Sequence, residues 1–160
     1  MDSHKAQAPP RDALPAAPAL AVRRGRRPCV LVVDDAAAAR DHCSADLRRA
    51  GFDVHVAADG LEALARAVAR RPDAVVIDVA VPGMDGWEIV RRLKAAAATR
   101  DIPVIAVGAS DHRARVRASE AGCAACLARP CRPEELREEV ERQLDLRRPR
   151  PRRRGRAGRG

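Results

Sequence analysis

Aromatic residues are nearly missing from this chain: Phe52 and Trp87 stand alone, and there is no tyrosine. A core of ordinary size must then be built from Val, Leu, Ile and Ala. A platform of aromatics for stacking nucleic-acid bases is excluded. Lysine is almost as scarce. Lys5 and Lys94 are the only two, so positive charge is carried by arginine. Together with the excess of Ala and Pro, this points to GC-rich coding bias, the plain alternative to a role for any single Arg. No apolar run approaches the roughly 18 residues of a membrane span. Residues 13–22 are mildly apolar but are broken by Pro15 and Pro18. No charged-then-apolar leader is present, so a cytoplasmic protein is expected. Five cysteines are an odd number, which favours reduced thiols over a disulfide framework.

What is present is 160 residues, enough for one domain and not comfortably for two. The formal net charge is +9, but it is unevenly placed. Residues 1–28 hold six Lys/Arg against two Asp, and residues 147–160 hold eight Arg and no acid. The segment between is slightly acidic, so the basic character belongs to the tails. Their Pro, Ala and Arg content predicts disorder for 1–28 and for 147–160.

Between the tails, strand and helix patterns alternate. Strands are predicted at 29–33, 52–56, 74–77, 103–107 and 124–128. Helices are predicted at 37–50, 60–70, 87–97, 112–121 and 133–146. Gly51 and Gly122 read as helix stops, and Pro133 suits a first helical turn. Leu61, Leu64 and Val68 share one face of the second helix. Ile89, Val90 and Leu93 point inward from the third, and Leu136, Val140 and Leu144 recur at helical spacing in the last. Five strands alternating with five helices predict a parallel sheet covered on both faces, and the continuous apolar runs fit strands buried on both sides. Sites in such sheets form beyond the carboxyl ends of the strands. Asp34 and Asp35 follow the first strand and Asp78 the third.

Carboxylates gathered at adjacent strand ends repel one another. A hard cation resolves this, and Mg²⁺ is satisfied by one or two carboxylates, waters and phosphate oxygens. A carboxylate can also act as a nucleophile and form an acyl phosphate. One Asp could then attack while its neighbours hold the metal.

VLVVDD (30–35), VIDVAVPGMDG (76–86) and LARP (127–130) resemble the receiver domains of bacterial response regulators; AGF, AADGLEAL and RRPDAVVID fit the same family. The resemblance covers about 29–146. It implies a flavodoxin-like doubly wound sheet of order 2-1-3-4-5, a fold whose ligands bind at the carboxyl ends of the strands. It further implies that Asp78 accepts a phosphoryl group from a sensor histidine kinase or histidine phosphotransfer protein. Asp35 and Asp78 would ligate Mg²⁺ with the backbone carbonyl of Ala80, and Asp34 would hold it mainly through water. Pro82, Gly83 and Gly86 would shape the neighbouring loop. The resemblance implies a phosphoacceptor, with at most slow self-dephosphorylation, rather than an enzyme. With no room for an output domain, a stand-alone receiver acting on a downstream protein is expected.

The chain departs from that family at the read-out positions. Gly108 stands where a Thr or Ser hydroxyl is usual, Arg129 where Lys precedes Pro130, and Cys126 and Cys131 where aromatics are usual. Arg129 keeps the charge for phosphate contact, but its planar fork is not a lysine point charge. Two other readings stand beside the first: a degenerate receiver that binds partners without phosphate, and a nucleic-acid binder working through the Arg-rich tail. For that tail a solvated, codon-biased segment is the preferred reading. Cys123 and Cys126 read as small core fillers rather than a redox or zinc pair. His42, His55 and His112 read as surface residues without ligand spacing.

Overall fold

In the computed structural model, the described residues are 25–80, 83–108 and 111–147. The expectations for 1–24 and 148–160, and that for Pro82, lie outside them. Five strands, β1 (Cys29–Val33), β2 (Asp53–Ala57), β3 (Ala74–Asp78), β4 (Val104–Val107) and β5 (Ala125–Leu127), alternate with five helices. These are α1 (Ala37–Arg49), α2 (Gly60–Arg70), α3 (Gly86–Ala95), α4 (His112–Ala121) and α5 (Pro133–Arg147). All strand pairs are parallel, in the order β2-β1-β3-β4-β5. The expected doubly wound architecture is thus present, with element ends shifted by one or two residues.

Strand alternation divides the core in two. Leu31, Val33, Val75, Ile77, Val104 and Ala106 face α2, α3 and α4, where Trp87, Ile89, Val90 and Leu93 cover them. Val30, Val32, Val54, Val76, Ile105 and Val107 face α1 and α5, against Leu47, Leu136, Val140 and Leu144. Both faces of the central strands are therefore apolar, which is why those strands read as unbroken hydrophobic runs.

The second helix differs from its expected orientation. Leu61 is 72% and Val68 53% exposed, while Gly60, Ala63 and Ala67 are buried and Leu64 is half-buried. Close approach is the cause. A Cβ at Gly60 would lie 2.8 Å from Ile89 Cδ1, so the contact with α3 accepts only small residues. The large side chains rotate outward.

Acid residues start three of the helices. Asp59 accepts from the Glu62 N–H at 2.8 Å, Asp85 from the Trp87 N–H at 3.0 Å, and Asp111 from the Ala114 N–H at 2.7 Å. Each side chain satisfies a donor that the helix itself leaves open. Gly86, next to the Asp85 cap, has a separate reason. A Cβ there would lie 2.5 Å from Val79 Cα and 2.6 Å from Val79 O. Only glycine lets α3 begin so close to the backbone that follows Asp78.

Candidate functional site: an acidic pocket at the strand ends

The carboxyl ends of β1 and β3 lie side by side, because Val33 pairs with Ile77. The chain leaves them at Asp34 and Asp78, which are 6% and 8% exposed. Asp35 is exposed beside them. One carboxylate oxygen from each of the three lies within 4.8 Å of the others.

Every oxygen of the two buried carboxylates has a partner. Asp34 Oδ1 accepts from the Ala36 N–H at 2.9 Å, and Asp78 Oδ1 accepts from the Ala80 N–H at 2.9 Å. Arg129 reaches across from the end of β5, and its Nη2 lies 2.8 Å from Asp34 Oδ2 and 2.8 Å from Asp78 Oδ2. Burial alone would push the Arg129 pKa down. The hydrogen bond to Asp34 and the charges of Asp78, Asp34 and Asp35 outweigh it and hold the group above its ordinary value. A single guanidinium thus offsets the repulsion between two buried anions. Arg40, which sequence reading did not single out, adds a hydrogen bond at 2.8 Å to the Asp34 carbonyl. It lies one helical turn into α1, a spacing that gives no signal by itself.

The sequence-predicted residues Asp34, Asp35, Asp78, Ala80 and Arg129 are therefore brought together. The donor set of the three acids is all oxygen and fits a hard divalent cation such as Mg²⁺. Gly83, at φ +77, and Gly108, at φ +102, lie in the left-handed region in the flanking loops. At Gly108 an added Cβ would lie 3.5 Å from Asp78 Oδ1. Space is available, but the backbone angle is strained for any L side chain. Threonine at 108 would consequently not be a simple restoration of the missing hydroxyl.

Beside the acids a cavity of about 590 Å³ opens between α1 and the start of α5, walled by Cys43, Leu47, Cys131 and Leu136. Burial, with the charges of Asp34 and Asp46, pushes the Cys43 thiol up to about 12. Cys123 and Cys126 are half-buried and pack against the first core cluster, as small fillers would, and Cys131 is half-buried against the second.

A family model for the response regulator receiver domain matches residues 30–141. The chain belongs to this family. It is a receiver domain of a response regulator in two-component signalling. It is 40% identical over 102 residues to the response regulator PleD of Caulobacter vibrioides, covering 63% of this chain and 22% of that protein. It is 40% identical over 108 residues to the response regulator MprA of a Mycobacterium species, covering 67% of this chain and 46% of that one. The chain thus spans less than half the length of these curated relatives. Among solved structures, the chemotaxis response regulator CheY4 of Vibrio cholerae superposes with a TM-score of 0.70 at 31% identity, covering 74% of this chain and 99% of that one. The receiver domain of the sensor histidine kinase PA1611 of Pseudomonas aeruginosa, described with a magnesium ion coordinated in its active-site cleft, superposes at 0.69 with 30% identity, covering 75% and 99%. Among the described residues no helix is long and apolar enough to cross a membrane.

Proposed function

We propose that Asp78 accepts a phosphoryl group from a phosphohistidine on a sensor histidine kinase or a histidine phosphotransfer protein. The receiver then signals through contact with a downstream protein, in the cytoplasm, without turning over as an enzyme. The observation that carries this reading is the pair of buried carboxylates, Asp34 and Asp78, bridged by Arg129. Isolated buried anions are costly, and a structural role would be served better by apolar residues.

Asp35 and Asp78, with the Ala80 carbonyl, would hold Mg²⁺, and Asp34 would reach it through water. When bound, the cation would neutralise charge on the transferring group. Asp78 supplies the nucleophile: its carboxylate oxygen forms a bond to phosphorus as the phosphorus–nitrogen bond to the imidazole breaks. Backbone donation from Ala80 to Asp78 Oδ1 fixes the carboxylate plane and leaves the other oxygen for attack. Arg129 must leave its bridge for that oxygen to react, and its planar fork then suits the phosphoryl oxygens.

The test is labelling of the full chain with a small acyl phosphate donor, with and without Mg²⁺. Asp78→Asn should abolish labelling, and Asp35→Ala should remove its Mg²⁺ dependence. Labelling that survives Asp78→Asn places the acceptor elsewhere. A well-folded chain that binds partners but takes no label is instead a degenerate receiver.

A further inference from the structure

The amino ends of β1 and β2 carry a second group of ligand-type side chains, at the opposite end of β1 from Asp34. Cys29 pairs with Asp53 in the parallel register, and His55 is two residues further along β2. Alternation along a strand puts Asp53 and His55 on the same face of the sheet, the face on which Cys29 also lies. One ligand atom from each of Cys29, Asp53 and His55 lies within 4.8 Å of the others. His55 Nε2 is already 3.6 Å from Asp53 Oδ2, close to the roughly 3.5 Å between ligands around a tetrahedral zinc ion.

We propose that Cys29, Asp53 and His55 form a zinc site, with water as the fourth ligand. The donor set decides the metal: a thiolate, an imidazole and a carboxylate suit Zn²⁺, whereas Mg²⁺ and Ca²⁺ take oxygen ligands alone. The backbone around the group is fixed in advance. The Cys29 N–H donates to Asp73 Oδ2 at 2.7 Å, the Asp73 N–H donates to the Cys29 carbonyl at 2.7 Å, and the Asp53 N–H donates to the Pro28 carbonyl at 2.9 Å. Two of the three ligands thus sit on strand ends held by backbone hydrogen bonds. The charges of Asp53 and Asp73 act at Cys29 and favour an arriving cation, against an opposite effect from Arg26 and Arg70. On binding, the sulfur–hydrogen bond of Cys29 breaks, the proton passes to solvent and the sulfur lone pair goes to the metal. The solvent-facing side is open, because Asp53 is exposed and His55 half-buried. The bound ion would clamp β2, an edge strand of the sheet, to β1.

Titration of the full chain with Co²⁺ as a spectroscopic substitute tests this. One equivalent should produce the visible bands of tetrahedral cobalt with a thiolate charge-transfer band, and Zn²⁺ should displace them. His55→Gln and Asp53→Asn, at solvent-accessible positions, should each weaken Co²⁺ and Zn²⁺ binding about tenfold or more. Cys29→Ser should remove the charge-transfer band. Replacing Cys43, Cys123, Cys126 and Cys131 together by Ser should keep it, as should Asp35→Ala at the other end of the sheet. No thiolate band in the unmodified chain overturns the proposal. So does a band that persists in Cys29→Ser, or affinity unchanged in both His55→Gln and Asp53→Asn.

Discussion

The two halves of the acidic pocket are built to different standards. On the β1 and β3 side, Asp34 and Asp78 are buried, each carboxylate is fixed by a backbone N–H, and Gly86 seats α3 against the Val79 backbone. On the β4 and β5 side, Gly108 has no hydroxyl, and Cys126 and Cys131 stand in place of rings. Arg129 crosses between them, with contacts to both acids. On the proposed function, the first half would accept the phosphoryl group and the second would convey its presence to a distant surface. A ligand shifts an equilibrium only by its differential affinity for the two states, and among its described residues this second half offers few groups that could supply it.

The largest expected effect contrasts one glycine from each half. Gly86→Ala forces a Cβ into the Val79 backbone and should destabilise the fold by about 3 kcal/mol, the upper end of overpacking penalties. Gly108→Ala meets only ordinary contacts, but at φ +102, and should cost about 1–2 kcal/mol. Urea denaturation of the two variants measures both. The reverse order would mean that the β4 loop, not the β3 loop, is the tightly built side.

The cavity wall beside the acids gives the next effect. The Cys43 thiol titrates from an ordinary value of 9.0 up to about 12 in the folded chain. A raised thiol pKa means that the unfolded chain loses the proton first as pH rises. Stability from this group is therefore full below pH 9 and declines between pH 9 and 12, by up to about 1.4 kcal/mol per pH unit. The urea midpoint should fall between pH 9 and 10.5, and Cys43→Ala should fall less steeply. Equal slopes would show that Cys43 is freely accessible to water.

Removing the connecting side chain sharpens the comparison further. Arg129 is itself 44% exposed, but the two carboxylates it bridges are buried, so Arg129→Ala should destabilise the fold by more than loss of a surface pair would, about 2 kcal/mol. It should also tighten Mg²⁺ binding roughly tenfold, since a charge-assisted hydrogen bond no longer competes for the carboxylates. Calorimetric titration with Mg²⁺ reads this directly. Weaker binding would show that Arg129 holds the acids in place for the metal rather than occupying them.

The smallest effect is the most specific to the read-out half. Beryllofluoride, a phosphoryl mimic, should shift amide resonances around Asp78 strongly and those of α5 and Cys126 little. Shifts spreading through β4, β5 and α5 would reveal another switch.

Most of the fold could be read from periodicity. The apolar runs of β1, β3 and β4 and the spacing of Leu136, Val140 and Leu144 each have one physical solution in a doubly wound sheet. The face of α2 could not be read in this way. Hydropathy ranks Leu61 and Val68 above Ala63 and Ala67, yet the close contact with Ile89 selects for size and buries the alanines. In the acidic pocket, Asp34, Asp35 and Asp78 announce themselves by following strands. That Arg129 bridges two of them depends on how β5 lies across the sheet, with 95 residues separating it from Asp34. The group of Cys29, Asp53 and His55 was illegible for a related reason. It exists only in the register of β1 against β2, and no local spacing of histidines reveals it.

The central claim is that the complete half of the pocket takes a phosphoryl group on Asp78. Borohydride reduction after treatment with an acyl phosphate donor tests it most directly, because an aspartyl phosphate is reduced to homoserine, which peptide mass spectrometry places in the chain. The expected result is homoserine at position 78 alone, dependent on Mg²⁺ and on prior phosphodonor. Homoserine at another aspartate, or none at 78 under conditions that label a competent receiver, would contradict it.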